Sequence, residues 1–182
     1  MSIAAVAPEL TTGTWNIDPA HSEVTFVIRH LMTKVRGTFT EFTGAVQIAE
    51  ELSESTATAE IKVGSIDTRN ADRDAHVRTS DVLDVEKYPT MTFATKGVRS
   101  EGGEYLLDGE LTIKDVTRPI TLSVEFNGVG EDPWGGTRAG FSAEVSINRK
   151  DWGIEFNVPL KGEKALLSDK VDIQLEIQAV RA

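Results

Sequence analysis

Leu107-Asp108-Gly109-Glu110-Leu111-Thr112-Ile113 and Ile120-Thr121-Leu122-Ser123-Val124-Glu125-Phe126 decide the fold of this chain. In each stretch small or apolar residues alternate with polar ones. A period of two places one set of side chains on a buried face and the other on a wet face, the mark of a half-buried strand. The pattern recurs in both directions. Val24, Phe26, Ile28 and His30 alternate with polar Thr25 and Arg29. Ala57, Ala59, Ile61 and Val63 alternate with Thr58, Glu60 and Lys62. Phe141, Ala143, Val145 and Ile147 do the same, as do Val171, Ile173, Leu175 and Ile177. Weaker stretches near residues 35–48 and 90–99 are rich in Thr, Phe and Val. Turn residues such as Glu101-Gly102-Gly103 separate these segments, which predicts about eight strands.

A sheet of that size must hide its apolar face, by closing into a barrel or folding into a sandwich. Several alternating stretches outrun the usual strand of about five or six residues. Long, meandering neighbours favour an antiparallel up-and-down barrel. Residues 70–87 break the pattern: Asn70 suits an N-cap, and Asp72 and Asp74 suit the first turn of a helix. Asp74 and Arg78 are spaced as an i,i+4 pair, and Ser80 is placed to cap a second turn. A helix pair over one barrel end is predicted there, with another helical corner at 31–35. Residues 1–12 are read as a flexible N-terminal tail and 13–182 as one domain.

Composition excludes several functions. The net charge is −10, which opposes phosphate backbones and anionic membranes, so nucleic acid is not an expected partner. No apolar run nears the ~20 residues of a membrane span, so no stable membrane insertion is expected. No signal-peptide pattern is seen, which points to a cytoplasmic protein. The chain has no Cys, which removes thiolate metal sites and cysteine catalysis.

Four clusters hold reactive residue types. Asp18, His21, Ser22 and Glu23 include the members of a nucleophilic triad, but adjacent His21 and Ser22 in a strand face opposite ways. An Asx turn at Asp18-Pro19 is the simpler reading. Asp72, Arg73, Asp74, His76 and Asp81 offer one His with carboxylates, a weak metal set, so no metal or other cofactor is expected. His30 ends an apolar strand face and could anchor a ligand headgroup. Asn148-Arg149-Lys150-Asp151-Trp152-Gly153 reads as a strand-end turn, with Trp152 either a plug or a ligand contact. None of these assembles a catalytic constellation.

The size of the inward residues bears on whether the barrel is full. An eight-stranded barrel can be filled by its side chains or hold one small ligand. Gly37, Ala57, Ala59, Gly109 and Ala143 are small, and 7% of residues are aromatic. An elongated apolar cavity follows.

The chain resembles the YceI-like polyisoprenoid-binding proteins. The resemblance is carried by Trp15-Asn16-Ile17-Asp18-Pro19-Ala20-His21-Ser22, by Gly37-Thr38-Phe39, and by Ser65-Ile66-Asp67-Thr68. It continues through Arg73-Asp74 with His76 and Asp81, Tyr88-Pro89, Thr117-Arg118-Pro119 and Asn148-Arg149-Lys150-Asp151-Trp152-Gly153. It implies an all-β, lipocalin-like eight-stranded antiparallel barrel with a helical segment after the third strand, and a homodimer. It implies non-enzymatic binding, storage or transport of a long isoprenoid lipid, polyprenol or prenyl quinone in type. Two positions depart from the family: Val82-Leu83 where members often carry Phe-Phe, and Asp115-Val116 where a Gly is usual.

The residues expected to line or contact the ligand are Phe26, Ile28, His30, Phe39, Ile61, Phe93, Leu107, Leu111, Leu122, Phe126, Phe141, Val145, Trp152 and Ile173. His30, Lys34, Arg36, Arg149 and Trp152 are expected near a mouth. Two alternatives remain: an enzyme acting on an isoprenoid through His30 or the Arg73/Asp74/His76 group, and a stress-response interaction module with a filled barrel.

Overall fold

The computed structural model describes residues 1–162 and 164–182. Its strands are β1 (Gly13–Ile17), β2 (Glu23–His30), β3 (Thr33–Phe39), β4 (Phe42–Ile48), β5 (Thr56–Lys62) and β6 (Ile66–Asp67), followed by five long ones. These are β7 (Thr90–Glu101), β8 (Glu104–Ile113), β9 (Val116–Glu131), β10 (Thr137–Asn148) and β11 (Leu167–Arg181). All pair antiparallel with their neighbours. The first six are three strands, each broken by a bend. β1 and β2 both lie along β11, through Ile17↔Ala179 and Phe26↔Ile173. β3 and β4 lie along β2 and β1, and β5 and β6 along β4 and β3. The β1–β11 pairing closes the ring into an eight-stranded barrel. Closure leaves no free sheet edge along most of the wall.

One gap remains. β7 pairs with β5 but not with β6, so the wall opens beside β6. The helix α2 (Ala71–Val77) lies in the connection between β6 and β7. Asn70 caps it by accepting from the Arg73 N–H at 3.0 Å. The helix pair predicted from sequence reduces to this one helix. After it the chain folds back in turns, with the Leu83 N–H donating to Val77 O and Val85 N–H to Arg78 O. The Asp74–Arg78 ion pair does not form. Asp74 turns inward to Thr68, and Arg78 donates to the Gly64 and Ile66 carbonyls at 3.0 and 3.1 Å. The helical corner predicted at 31–35 is instead a two-residue hairpin turn. Leu31 has φ 55° there, and His30 pairs with Thr33. Such reversals fit the right-handed strand twist.

The N-terminal segment, read from sequence as a tail, packs against the barrel. A short helix, α1 (Ile3–Val6), buries Ile3, and Ala7 and Leu10 follow it inward. The Ile3 N–H donates to Glu50 O at 2.8 Å and the Leu52 N–H to Met1 O at 2.9 Å. These residues join Trp15, Ile48, Leu52, Ala139 and Ala179 in a dense cluster that closes the lower end. Four apolar residues in a stretch too short for periodicity gave the sequence no handle on this docking.

Candidate ligand cavity

The barrel is hollow. A cavity of about 590 Å³ runs through it, within the range of roughly 300–1,000 Å³ typical of small-molecule sites. On β10 alone its wall extends from Phe141 to Ile147, with Arg149 just beyond. At ~3.3 Å per residue and a tilt near 40°, that is roughly 15 Å along the barrel axis. The cavity is therefore long and narrow. Its wall is almost wholly aliphatic and aromatic.

Hollowness is also written in the burial pattern. On β2 the outward Thr25 and Val27 are buried by their neighbours, while the inward Val24, Phe26 and Ile28 keep partial exposure to the cavity. A filled core would reverse that order. Two of the small residues do not contribute the space. A Cβ on Gly37 would collide with the Phe26 ring, and one on Gly109 would come within 2.6 Å of the Phe93 ring. Those rings lie across the glycines and line the wall. Ala57, Ala59 and Ala143 line the cavity directly.

Phe26, Ile28, His30, Phe39, Ile61, Phe93, Leu107, Leu111, Leu122, Phe126, Phe141, Val145 and Ile173 all face this cavity. Trp152 does not. It is 2% exposed, packs with Leu111, Ile113 and Ile154, and donates its indole N–H to Leu111 O at 2.9 Å. Its polar atom is spent on the wall behind the cavity. Lys34 and Arg36 project from the outer face, where the Arg36 guanidinium reaches Gln174 at 3.1 Å. The alternation that sends Val35 inward sends them outward.

The upper end of the cavity differs from the rest. His30, Arg73, His76 and Arg149 reach it from β2, α2 and the turn after β10. Asp74, which is buried, accepts from the Thr68 N–H and hydroxyl. Arg73 donates to the same hydroxyl at 2.8 Å and to Thr68 O at 2.7 Å. His76 contacts Asp81 at 3.2 Å and meets the Phe156 ring edge-on, with centroids 4.7 Å apart. Arg149 is 4% exposed. Burial pushes its guanidinium below the usual arginine range, partly offset by Asp169.

The Asp18 cluster lies outside the cavity and holds the wall. Asp18 accepts from the Ala20 N–H at 3.0 Å, which is the Asx turn, and from Arg138 and His21, each at 2.7 Å. Ser22 donates to Gln178 O and makes no contact with His21. These groups form a latch at the bend between β1 and β2.

A model of the YceI-like domain matches residues 15–179, nearly the whole barrel. The chain belongs to the YceI-like family. A UPF0312 protein of Photorhabdus laumondii is 37% identical over 168 residues, 91% of this chain and 84% of that one. The protein YceI of Escherichia coli O157:H7 is 37% identical over 163 residues, 88% and 82% of the two chains. Among solved structures, a Campylobacter jejuni YceI protein superposes with TM-score 0.72 at 28% identity, over 85% of this chain and 90% of that one. A polyisoprenoid binding domain from Saccharophagus degradans shares the fold alone, with TM-score 0.70 at 15% identity over 94% of this chain and 100% of that one.

The strand alternation that marks Phe26 and Ile28 also marks Val24, Ile120, Leu175 and Ile177, and these line the YceI-like cavity too. Sequence reasoning missed a second group. Ile3, Ala7 and Leu10 at one end and Ile154 and Phe156 at the other come from turns and a short helix, while Arg73 and His76, singled out in the sequence as a reactive cluster, reach the cavity from α2. No period marks such residues.

Proposed function

We propose that this YceI-like barrel binds, without catalysis, one long isoprenoid lipid of the polyprenol or prenyl-quinone type. The observation that carries the proposal is a continuous apolar cavity about as long as the barrel. Each CH₂ placed in it is worth roughly 0.8 kcal/mol against water. Against a bilayer, transfer is close to neutral, because one hydrocarbon environment replaces another. A site with that balance loads and unloads readily, which suits storage or transport. The description of the Saccharophagus degradans domain as polyisoprenoid-binding supports the same class of ligand. Of the groups an enzyme could use at the upper end, Arg73 and Asp74 are engaged in structure, joined through Thr68.

Native mass spectrometry of the gently purified full chain tests this. The expected result is a co-purifying lipid, or uptake of a polyprenol by the stripped protein at one molecule per chain. A barrel that purifies empty and takes up neither polyprenol nor prenyl quinone overturns the proposal.

A further inference from the structure

Resting on the lipid-binding reading above, we infer that Arg149 anchors the ligand's head and selects chains with an anionic oxygen head, a phosphate ester or carboxylate, over neutral ones.

A guanidinium carries five N–H donors and no acceptor. In Arg149, Nε donates to Ser168 O at 2.9 Å, and Nη1 to Ile154 O and Phe156 O at 2.7 and 2.8 Å. Nη2 is buried and has no hydrogen-bond partner. The carboxylate beside it, Asp169, is 3.8 Å away, half-exposed, and closer to Lys150 at 3.3 Å. Three carbonyls fix the fork in place but do not neutralise its charge. A buried charged donor with no hydrogen-bond partner, and only a loose 3.8 Å ion pair to a half-exposed carboxylate, is costly in a folded protein and rare without a purpose.

The surroundings point the same way. Among the described residues, no Asp, Glu or Lys lines the cavity; its basic side chains are Arg73, Arg149, His30 and His76. Arg73 has Asp74 behind it through the shared Thr68 hydroxyl, and His76 has Asp81. Arg149 has only Asp169, at 3.8 Å and shared with Lys150. It is also tied to its basic neighbours. Phe156, whose carbonyl it holds, packs edge-on against His76, and Leu167, beside its Ser168 partner, pairs with His30. The basic side chains of the lining are thus gathered at the upper end of an otherwise apolar tube.

An alcohol or quinone oxygen arriving there would satisfy Nη2 but add nothing to the loose charge pairing that Asp169 gives. A phosphate or carboxylate oxygen does both. Charge-assisted contacts of this kind are about twice as strong as neutral ones, so a preference of ~10-fold or more is expected. The head sits at Arg149, and the tail runs down toward Phe126 and Leu10.

Two probes with one tail test the assignment: geranylgeranyl monophosphate and geranylgeraniol, each displacing a fluorescent apolar probe from the stripped full chain. The phosphate should bind ~10-fold or more tightly than the alcohol, and keep most of that advantage in about 0.5 M NaCl, because a buried pair is poorly screened. Arg149→Gln should bring the ratio of the two affinities near one. Equal binding of both probes overturns the anchor and leaves the lipid-binding reading standing. So does an advantage that vanishes in salt, which would place the head on exposed lysines, or one that survives Arg149→Gln. If that variant does not fold, the salt comparison on the wild-type chain decides alone. If neither probe binds, the lipid-binding reading itself fails and the anchor with it.

Discussion

The two ends of this barrel are closed by different chemistry. Each holds a buried tryptophan whose N–H is satisfied by a carbonyl. Trp15 donates to Thr11 O at 3.0 Å and Trp152 to Leu111 O at 2.9 Å. The buried residues clustered with Trp15 are all aliphatic: Ile3, Ala7, Leu10, Ile48, Leu52, Ala139 and Ala179. Around the upper end, buried Arg149 shares the cavity's border with Arg73, His30 and His76, and buried Asp74 stands behind Arg73 through Thr68. The lower end is packed as a core and gains by staying shut. The upper end holds groups that burial penalises, and such groups are retained where something polar must be met. A ligand with an apolar tail and a polar head fits that polarity in one orientation only.

If the lower end is a structural plug, removing its central residue should cost stability above all. Trp15 is 0% exposed, and Trp15→Ala should destabilise the chain by about 3–5 kcal/mol. Urea or thermal unfolding checks this. A loss below about 1 kcal/mol would mean that the plug is dispensable and the contrast between the ends is overdrawn.

Filling the tube between the ends should do the opposite. Ala143 lines the cavity among Val124 and Leu175, with space in front of it. Ala143→Phe places a ring across the path of a linear chain. Prenyl affinity should fall by about 10- to 100-fold, or ~1.4–2.7 kcal/mol. The melting temperature should hold or rise, because hollow space is filled without displacing packed atoms. Titration of a polyprenol into the variant, beside its melting curve, separates the two effects. Unchanged affinity would mean the chain does not pass Ala143.

Most of the wall was legible in the sequence because a strand writes its inward face as a period of two. Phe26, Phe141, Val145 and Ile173 each stand at an alternating position, and the structure places each on the cavity. The hollowness was legible only in outline. Gly37 and Gly109 looked like openings, yet the Phe26 and Phe93 rings fill the space above them, a cross-strand contact that no single strand records. Trp152 and Arg149 were identified as notable from composition alone. Whether each faces the cavity depends on the 3-10 turn Arg149–Trp152, which sends Arg149 inward to the cavity and Trp152 behind its wall. The closure by α1 had no sequence signature, since four apolar residues near a terminus read equally well as a tail.

The smallest effect concerns how the closed end is held from outside. Asp18 joins the β1–β2 bend to Arg138 on β10, and Arg138 also binds Asp132 at 2.8 Å. The Arg138 contact first, then His21, lowers the Asp18 carboxyl from its ordinary 3.8 to about 2. A folded pKa below the unfolded one means that the contribution is present above about pH 4 and is lost as pH falls toward 2. Asp18→Asn should therefore cost on the order of 1 kcal/mol near neutrality, since the pair is only partly shielded from water. The gap between wild type and variant should close across that acid window. Urea unfolding at a series of pH values reads both curves. Parallel curves down to pH 2 would show that the latch contributes no charge-dependent stability, leaving the plug around Trp15 to hold the lower end by itself. Converging curves would show the lower end held twice, by packing within and by charge without. Among the described residues, the Arg149 end has no matching double carboxylate latch: its nearest carboxylate, Asp169, is half-exposed and shared with Lys150.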